Sequence, residues 1–248
     1  MFTPQQRASL RSDLVEFARR DARIAAGALT GSAAADREDE WSDIDLAFGV
    51  TDAVELPSVL SDWTARMYDR HSAVHHFDVK AGAWIYRVFL LASTLQVDLA
   101  FVPAAEFRAL APTFRLLFGE ANDPRHAPPQ KTDDLIGMGL LYALHARSSI
   151  ARGRVWQAEL MISCLRDNAL SLACIRHGLP AAHGRGFDQL PRAVIGQFEE
   201  ALVRSLDTVQ LARAFRAAAQ GFFCEIGKVD PQLAKRLEPI LASLIAAA

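Results

Sequence analysis

The sequence predicts an α+β fold: a small mixed β-sheet with flanking helices, followed by an α-helical bundle. Three observations carry this. Residues 1–118 alternate short strand-like apolar runs with amphipathic helical stretches. Residues 119–130 hold Asn122, Asp123, Pro124, Pro128 and Pro129 and read as a linker. From 131 to 248 apolar residues recur at helical spacing only. The expected layout is therefore a first domain over 1–118, a linker over 119–130 and a helical domain over 131–248.

The elements follow in order. Thr3-Pro4-Gln5-Gln6 reads as a helix start, with Thr3 as N-cap, Pro4 at the first helical position and Gln6 closing a capping box. Leu10, Leu14, Phe17 and Ala18 continue that helix. A strand from Ile24 to Leu29 leads into a Gly31-Ser32 turn and a short helix ending near Asp39; the next strand carries Asp43 and Asp45. Leu56, Val59, Leu60, Trp63 and Met67 mark an amphipathic helix. Strand-like runs follow over 75–80, 84–91 and 95–102, with Ala81-Gly82 and Ser93-Thr94 as turns. Residues 103–118 are ambiguous, with a helix expected over 104–110. In the second part, Thr132-Asp133-Asp134 is expected to cap a helix reaching Ala151, and another runs from Val155 to His177, ended by Gly178. After a loop over 179–190, helices are expected over 192–206, 208–226 and 231–246, the last capped by Asp230.

Composition narrows the function classes. The chain has 248 residues, of which 51% are apolar, enough for a sizeable core. A formal net charge of −2 lacks the basic surplus of a general nucleic-acid binder, which argues against a polymerase or RNA-tailing enzyme. Cys164, Cys174 and Cys224 lie in apolar helical stretches without paired spacing and read as buried, reduced thiols of a cytoplasmic protein. The N-terminus lacks a signal-peptide pattern, and no apolar run is long enough to span a bilayer.

The chemistry concentrates between Thr30 and Gly49. Asp43 and Asp45 stand two apart in a strand-like segment, so their side chains share a face about 7 Å apart at the backbone, while Ile44 and Leu46 point into a core. Like charges this close raise each other's pKa unless a cation lies between them, and carboxylate oxygens suit Mg²⁺. Gly31-Ser32 ends a strand and starts a helix, where backbone amides can meet an anion. Asp98 is a third acid among apolar strand residues. A phosphate cradle with three strand carboxylates points to metal-assisted phosphoryl or nucleotidyl transfer. An acid pair alone is more often a solvated strand edge; the combination is what distinguishes this stretch.

Gly31-Ser32, Trp41-Ser42-Asp43-Ile44-Asp45 and Asp98 resemble the motif set of the DNA polymerase beta-like nucleotidyltransferase superfamily, nearest to the small antibiotic nucleotidyltransferases of the kanamycin nucleotidyltransferase kind. The likeness covers residues 24–102. It implies a nucleotidyltransferase that uses Mg²⁺ and ATP to place AMP on a hydroxyl of a small-molecule acceptor, of aminoglycoside or lincosamide type. Asp43, Asp45 and Asp98 become the metal ligands, and Gly31, Ser32, Arg37 and Ser42 the nucleotide-binding set. Asp98 is either third ligand or general base; by the resemblance, Glu159 on the helical domain is the other candidate base. Those relatives often carry an arginine three residues after the motif serine. This chain has Ala35 there, and Arg37 is assigned that charge from a shifted position. Some relatives are homodimers, and apolar helices here could pack on a second copy. Two rival readings stand beside this one: a protein-modifying, antitoxin-like AMP transferase, and a nucleotide-binding module without catalysis.

The remaining candidates carry less. Glu38, Asp39 and Glu40 suit a cationic acceptor or an ordinary solvated turn. Glu159, Ser163 and Arg166 form a polar stripe that fits either a cleft or a buried ion pair. His75, His76, His145, His177 and His183 lack metal-ligand spacing. Arg176, Arg185, Arg192, Lys131 and Trp156 read as loop, cap and core residues before they read as ligands.

Overall fold

The first helix, α1 (Pro4–Arg20), starts on the expected capping box: the Thr3 hydroxyl accepts from the Gln6 N–H, and the Gln6 side chain accepts from the Thr3 N–H. The computed structural model describes residues 1–126 and 128–246, so Ala127 of the expected linker and the last two alanines lie outside it. The chain divides into two compact units, Met1–Pro128 and Pro129–Ala248.

In the first unit, β1 (Ile24–Thr30), a single helical turn α2 (Gly31–Ala34) and β2 (Ile44–Val50) are followed by α3 (Leu56–His71), β3 (Ala73–Ala81), β4 (Trp84–Leu91), β5 (Gln96–Pro103) and β6 (Phe114–Phe118). The six strands form one mixed sheet in the order β3-β4-β5-β2-β1-β6. Within this sheet β2 and β5 pair in parallel, and the other neighbouring strands are antiparallel. Alternation sends Ile44, Leu46 and Phe48, with Val97, Leu99 and Phe101, to one face, where they join Leu14 and Ala18 of α1 and Val59, Trp63 and Met67 of α3. Trp63 is fully buried, its ring 4.9 Å from Phe17, 4.8 Å from Phe48 and 5.4 Å from Phe101. The opposite face carries Ala26, Ala28, Ala47, Ala100 and Val102, capped at one end by Trp84 and Phe107. The chain thus forms the α+β fold expected, with both packed helices on one side of the sheet.

The second unit contains α4 (Thr132–Ala151), α5 (Val155–Arg176), the short α6 (Arg192–Ile195), α7 (Thr208–Val229) and α8 (Pro231–Ala246). Its core joins α4, α5 and α7 through Ala143, Ile162, Leu165, Phe215 and Phe222. Gly139 admits the Phe222 ring where a Cβ would collide with it. Glu225 on α7 is 1% exposed and is held by Lys228 Nζ at 2.6 Å and Arg176 Nη2 at 3.0 Å. Arg176 is therefore an ion-pair partner rather than a loop residue.

Several local expectations are corrected. The helix after Gly31 ends at Ala34, not near Asp39, because Asp36 enters the left-handed region at φ +52°. The segment over 104–110 holds only a 3₁₀ turn at Ala104–Glu106. The unexpected strand β6 pairs with β1, whose outer edge it covers. Thr132 lies inside α4; Lys131 occupies the N-cap position and makes no side-chain cap. Past α6 the chain tightens into a 3₁₀ stretch, Gly196–Ala201, whose three-residue repeat buries Phe198 and Ala201 together. Cys174 is buried, but Cys164 is partly exposed and Cys224 exposed.

Trp63→Ala removes the ring that joins α1, α3 and the sheet. It should cost about 3–5 kcal/mol, read as a lower urea midpoint for the first unit by circular dichroism; an unchanged midpoint would contradict this packing.

Candidate active site

Asp45 stands directly opposite Asp98 across the parallel β2–β5 pair. Both side chains leave the sheet on the face of Ala47 and Ala100, away from the helices. Asp43 lies one residue before β2, rather than within it, and two before Asp45. Each of the three half-buried carboxylates contributes an oxygen to a cluster in which these atoms lie within 4.8 Å of one another. The sheet therefore brings together the three acids proposed as metal ligands.

Burial pushes the Asp98 carboxyl up to about 6, the charge of Asp43 adds to the rise, and a hydrogen bond from Gln96 opposes it. The Gln96 amide donates to Asp98 Oδ1 at 3.1 Å. Three carboxylate oxygens gathered this closely form a donor set that could hold a hard cation.

Gly31 adjoins this cluster. Its φ is +60°, and a Cβ built there would fall inside the Asp45 carboxylate. Glycine is required twice over, for backbone conformation and for space. The Ser32 carbonyl accepts from the Ala35 and Arg37 N–H groups, closing the turn behind Gly31. Arg37 is exposed. The Ser42 hydroxyl donates to Asp39 Oδ1 at 3.0 Å and accepts from the Asp39 N–H at 2.9 Å, so it closes the turn before Asp43. Backbone donation from Trp41, with the Ser42 bond, holds the Asp39 carboxyl below the usual carboxylate range.

Glu38 is engaged with Arg11 and with Arg7, whose Nε lies 3.2 Å from Glu38 Oε1; this removes one member of the acidic rim read from the sequence. Glu159 belongs to the second unit, where its Oε1 accepts from the Ser163 hydroxyl at 2.8 Å. Arg166 pairs with Asp167 instead of extending that stripe into an ion pair with Glu159. Trp156 is 75% exposed and is not core.

Sequence reasoning missed three residues. Arg7 had a signal: it shares the apolar register of Leu14 and Ala18 and is buried with them. Arg115 lies on the unexpected β6, where Nη2 donates to the Ala33 carbonyl at 2.8 Å and Nη1 to Asp36 at 2.9 Å, bracing the α2 turn. Gln96 shares the strand face of Asp98, a relation visible only once the strand is placed.

Two outcomes are expected. Gly31→Ala should weaken Mn²⁺ binding by about tenfold or more, because it displaces Asp45; isothermal titration reads this, and unchanged affinity would contradict the geometry. The folded carboxyl of Asp98, near 6, lies above its ordinary 3.8, so between these values the folded state binds more protons than the unfolded one. Stability of the cation-free protein should therefore fall as pH rises through that window. Asp98→Asn should flatten the slope in thermal melts recorded in EDTA.

No known protein family matches the chain, and no curated protein matches it. Among solved structures, an aminoglycoside 6-adenyltransferase from Bacillus subtilis is similar over 98% of this chain and 99% of its own, at 13% sequence identity and a TM-score of 0.41.

Proposed function

We propose that this chain is a Mg²⁺-dependent nucleotidyltransferase that moves AMP from ATP to a hydroxyl of a small molecule. The observation that carries the reading is the convergence of oxygens from Asp43, Asp45 and Asp98 within 4.8 Å, beside a glycine turn where a Cβ would meet the Asp45 carboxylate. Asp43 and Asp45 would hold the ion, with Asp98 beside them left for the proton; the bound ion would supply neutralising charge to the phosphates and to the charge that develops during transfer.

The chain's own groups then divide the work. Backbone amides of Gly31 and Ser32, with the Ser32 hydroxyl, bind the terminal phosphates, and Arg37 meets their charge. Asp98, beside the other two carboxylates of the cluster, takes the proton of the acceptor hydroxyl. The hydroxyl oxygen forms its bond to the α-phosphorus as the bond to the bridging oxygen breaks, and pyrophosphate leaves with that electron pair. Asp98 is preferred to Glu159 for this step because it sits within the cluster.

Lincosamide-type acceptors, which carry less positive charge, suit the site better than polycationic aminoglycosides. Val88 stands opposite Asp98, and Phe77 opposite Val88, on the uncovered sheet face. Phe77, Val79 and Leu90 on that face are 53%, 50% and 47% exposed. Between Asp98 and the β3 edge this face carries no further carboxylate, and Glu38 is already neutralised.

The test is pyrophosphate release with Mg²⁺ and ATP over lincosamides and aminoglycosides. Turnover is expected to require one compound, favouring the lincosamides, and to fall at least about a hundredfold in Asp45→Asn. Transfer to a co-expressed protein would support the protein-modifying reading instead. ATP binding without turnover on any acceptor would support the binding module.

A further inference from the structure

We infer that Arg7, on α1, is a positioning residue for Asp43; the inference rests on the reading of the acid cluster as a cation site. Two of the three acids are placed by the sheet: Asp45 lies within β2, Asp98 within β5, and the two are in register. Asp43 has ladder support on its C-terminal side only, where Ile44 pairs with Val97. On its N-terminal side the chain is a loop, and the loop is held by Arg7.

The arginine is 5% exposed. Its Nη1 donates to the Asp39 carbonyl at 2.6 Å and to the Ser42 carbonyl at 2.9 Å. Those two carbonyls bracket the turn that the Asp39 and Ser42 side chains close internally. The Ser42 carbonyl belongs to the same planar peptide as the Asp43 N–H, so gripping it fixes the orientation of the plane that enters Asp43. With the ladder fixing the following residue, the Asp43 backbone is constrained from both sides, and its carboxylate is delivered to the cluster. Both bonds leave Nη1, one through each of its N–H groups, and the plane of the guanidinium fixes their directions where a lysine ammonium would rotate freely. Glu38 accepts from Arg11 and lies against Arg7, which anchors the preceding loop segment to α1 as well.

The experiment is a double-mutant cycle on the full chain, read by Mn²⁺ affinity from electron paramagnetic resonance without nucleotide or acceptor. Wild type, Arg7→Gln, Asp43→Asn and the double variant are compared, with secondary structure checked by circular dichroism. Val59→Ala, a core change on α3, is the control that lowers stability without touching the loop. The expected result is a loss of about tenfold or more in Arg7→Gln, no loss in Val59→Ala, and little further loss when Arg7→Gln is added to Asp43→Asn. If Arg7→Gln does not fold, the cycle is run with Arg7→Lys, where a smaller loss with the same non-additivity is expected. Unchanged affinity in the folded Arg7 variant, or fully additive losses, would overturn the inference. Wild-type protein that binds no Mn²⁺ would overturn the cation-site reading itself, a result distinct from either.

Discussion

Three carboxylates held within 4.8 Å of one another repel, and the surrounding structure has to oppose that repulsion. At an effective dielectric of about 20, each pair of unit charges at that separation costs on the order of 3 kcal/mol. The cost shows in Asp98, which burial first and the charge of Asp43 second lift to about 6. The repulsion is opposed by rigidity. The central parallel pair is flanked on both sides by antiparallel neighbours, and its rear face is filled by Phe48, Phe101 and Trp63. Strands so braced hold the three carboxylates together against their repulsion.

The same alternation produces both core and site. In β2, Ile44, Leu46 and Phe48 anchor one face while Asp45 and Ala47 occupy the other. A one-residue slip in the β2–β5 register would set Asp45 against a core residue of β5. The aromatic cluster behind the sheet therefore acts on function through register. The centre of the front face is lined by the small side chains of Ala26, Ala28, Ala47 and Ala100.

How much of this was legible in the sequence follows from range. Strand alternation and helix periodicity are local, so the layout of β1 to β5, the three acids and the glycine turn could all be read directly. Contacts between distant segments could not. β6 is five residues long and becomes a strand because β1 has an open edge, a fact about the sheet rather than about Phe114–Phe118. The turn after Gly31 is cut short by Asp36 in a left-handed conformation that Arg115 of the same β6 supports by hydrogen bonding. Gly196 begins a 3₁₀ stretch because Phe198 has to reach Gly221, where a Cβ would collide with its ring. Glu38 looked like part of an acidic rim, and only folding shows it against two arginines of α1.

That last arrangement has an electrostatic logic. A buried guanidinium is the natural device for gripping two backbone carbonyls, because it offers several directed donors and stays charged at any working pH. Placed against the loop that leads into Asp43, however, its charge would compete with a metal ion for the same carboxylates. Glu38 resolves the conflict. It sits against both Arg7 and Arg11 with its own side chain largely covered, so the clamp contributes hydrogen bonds to the loop while its charge is balanced locally. The pairing also limits the desolvation penalty that a lone buried arginine would carry. On the proposed reading, the negative field of Asp43, Asp45 and Asp98 is thereby left to a divalent ion, while Glu38 is paired with the two arginines of α1.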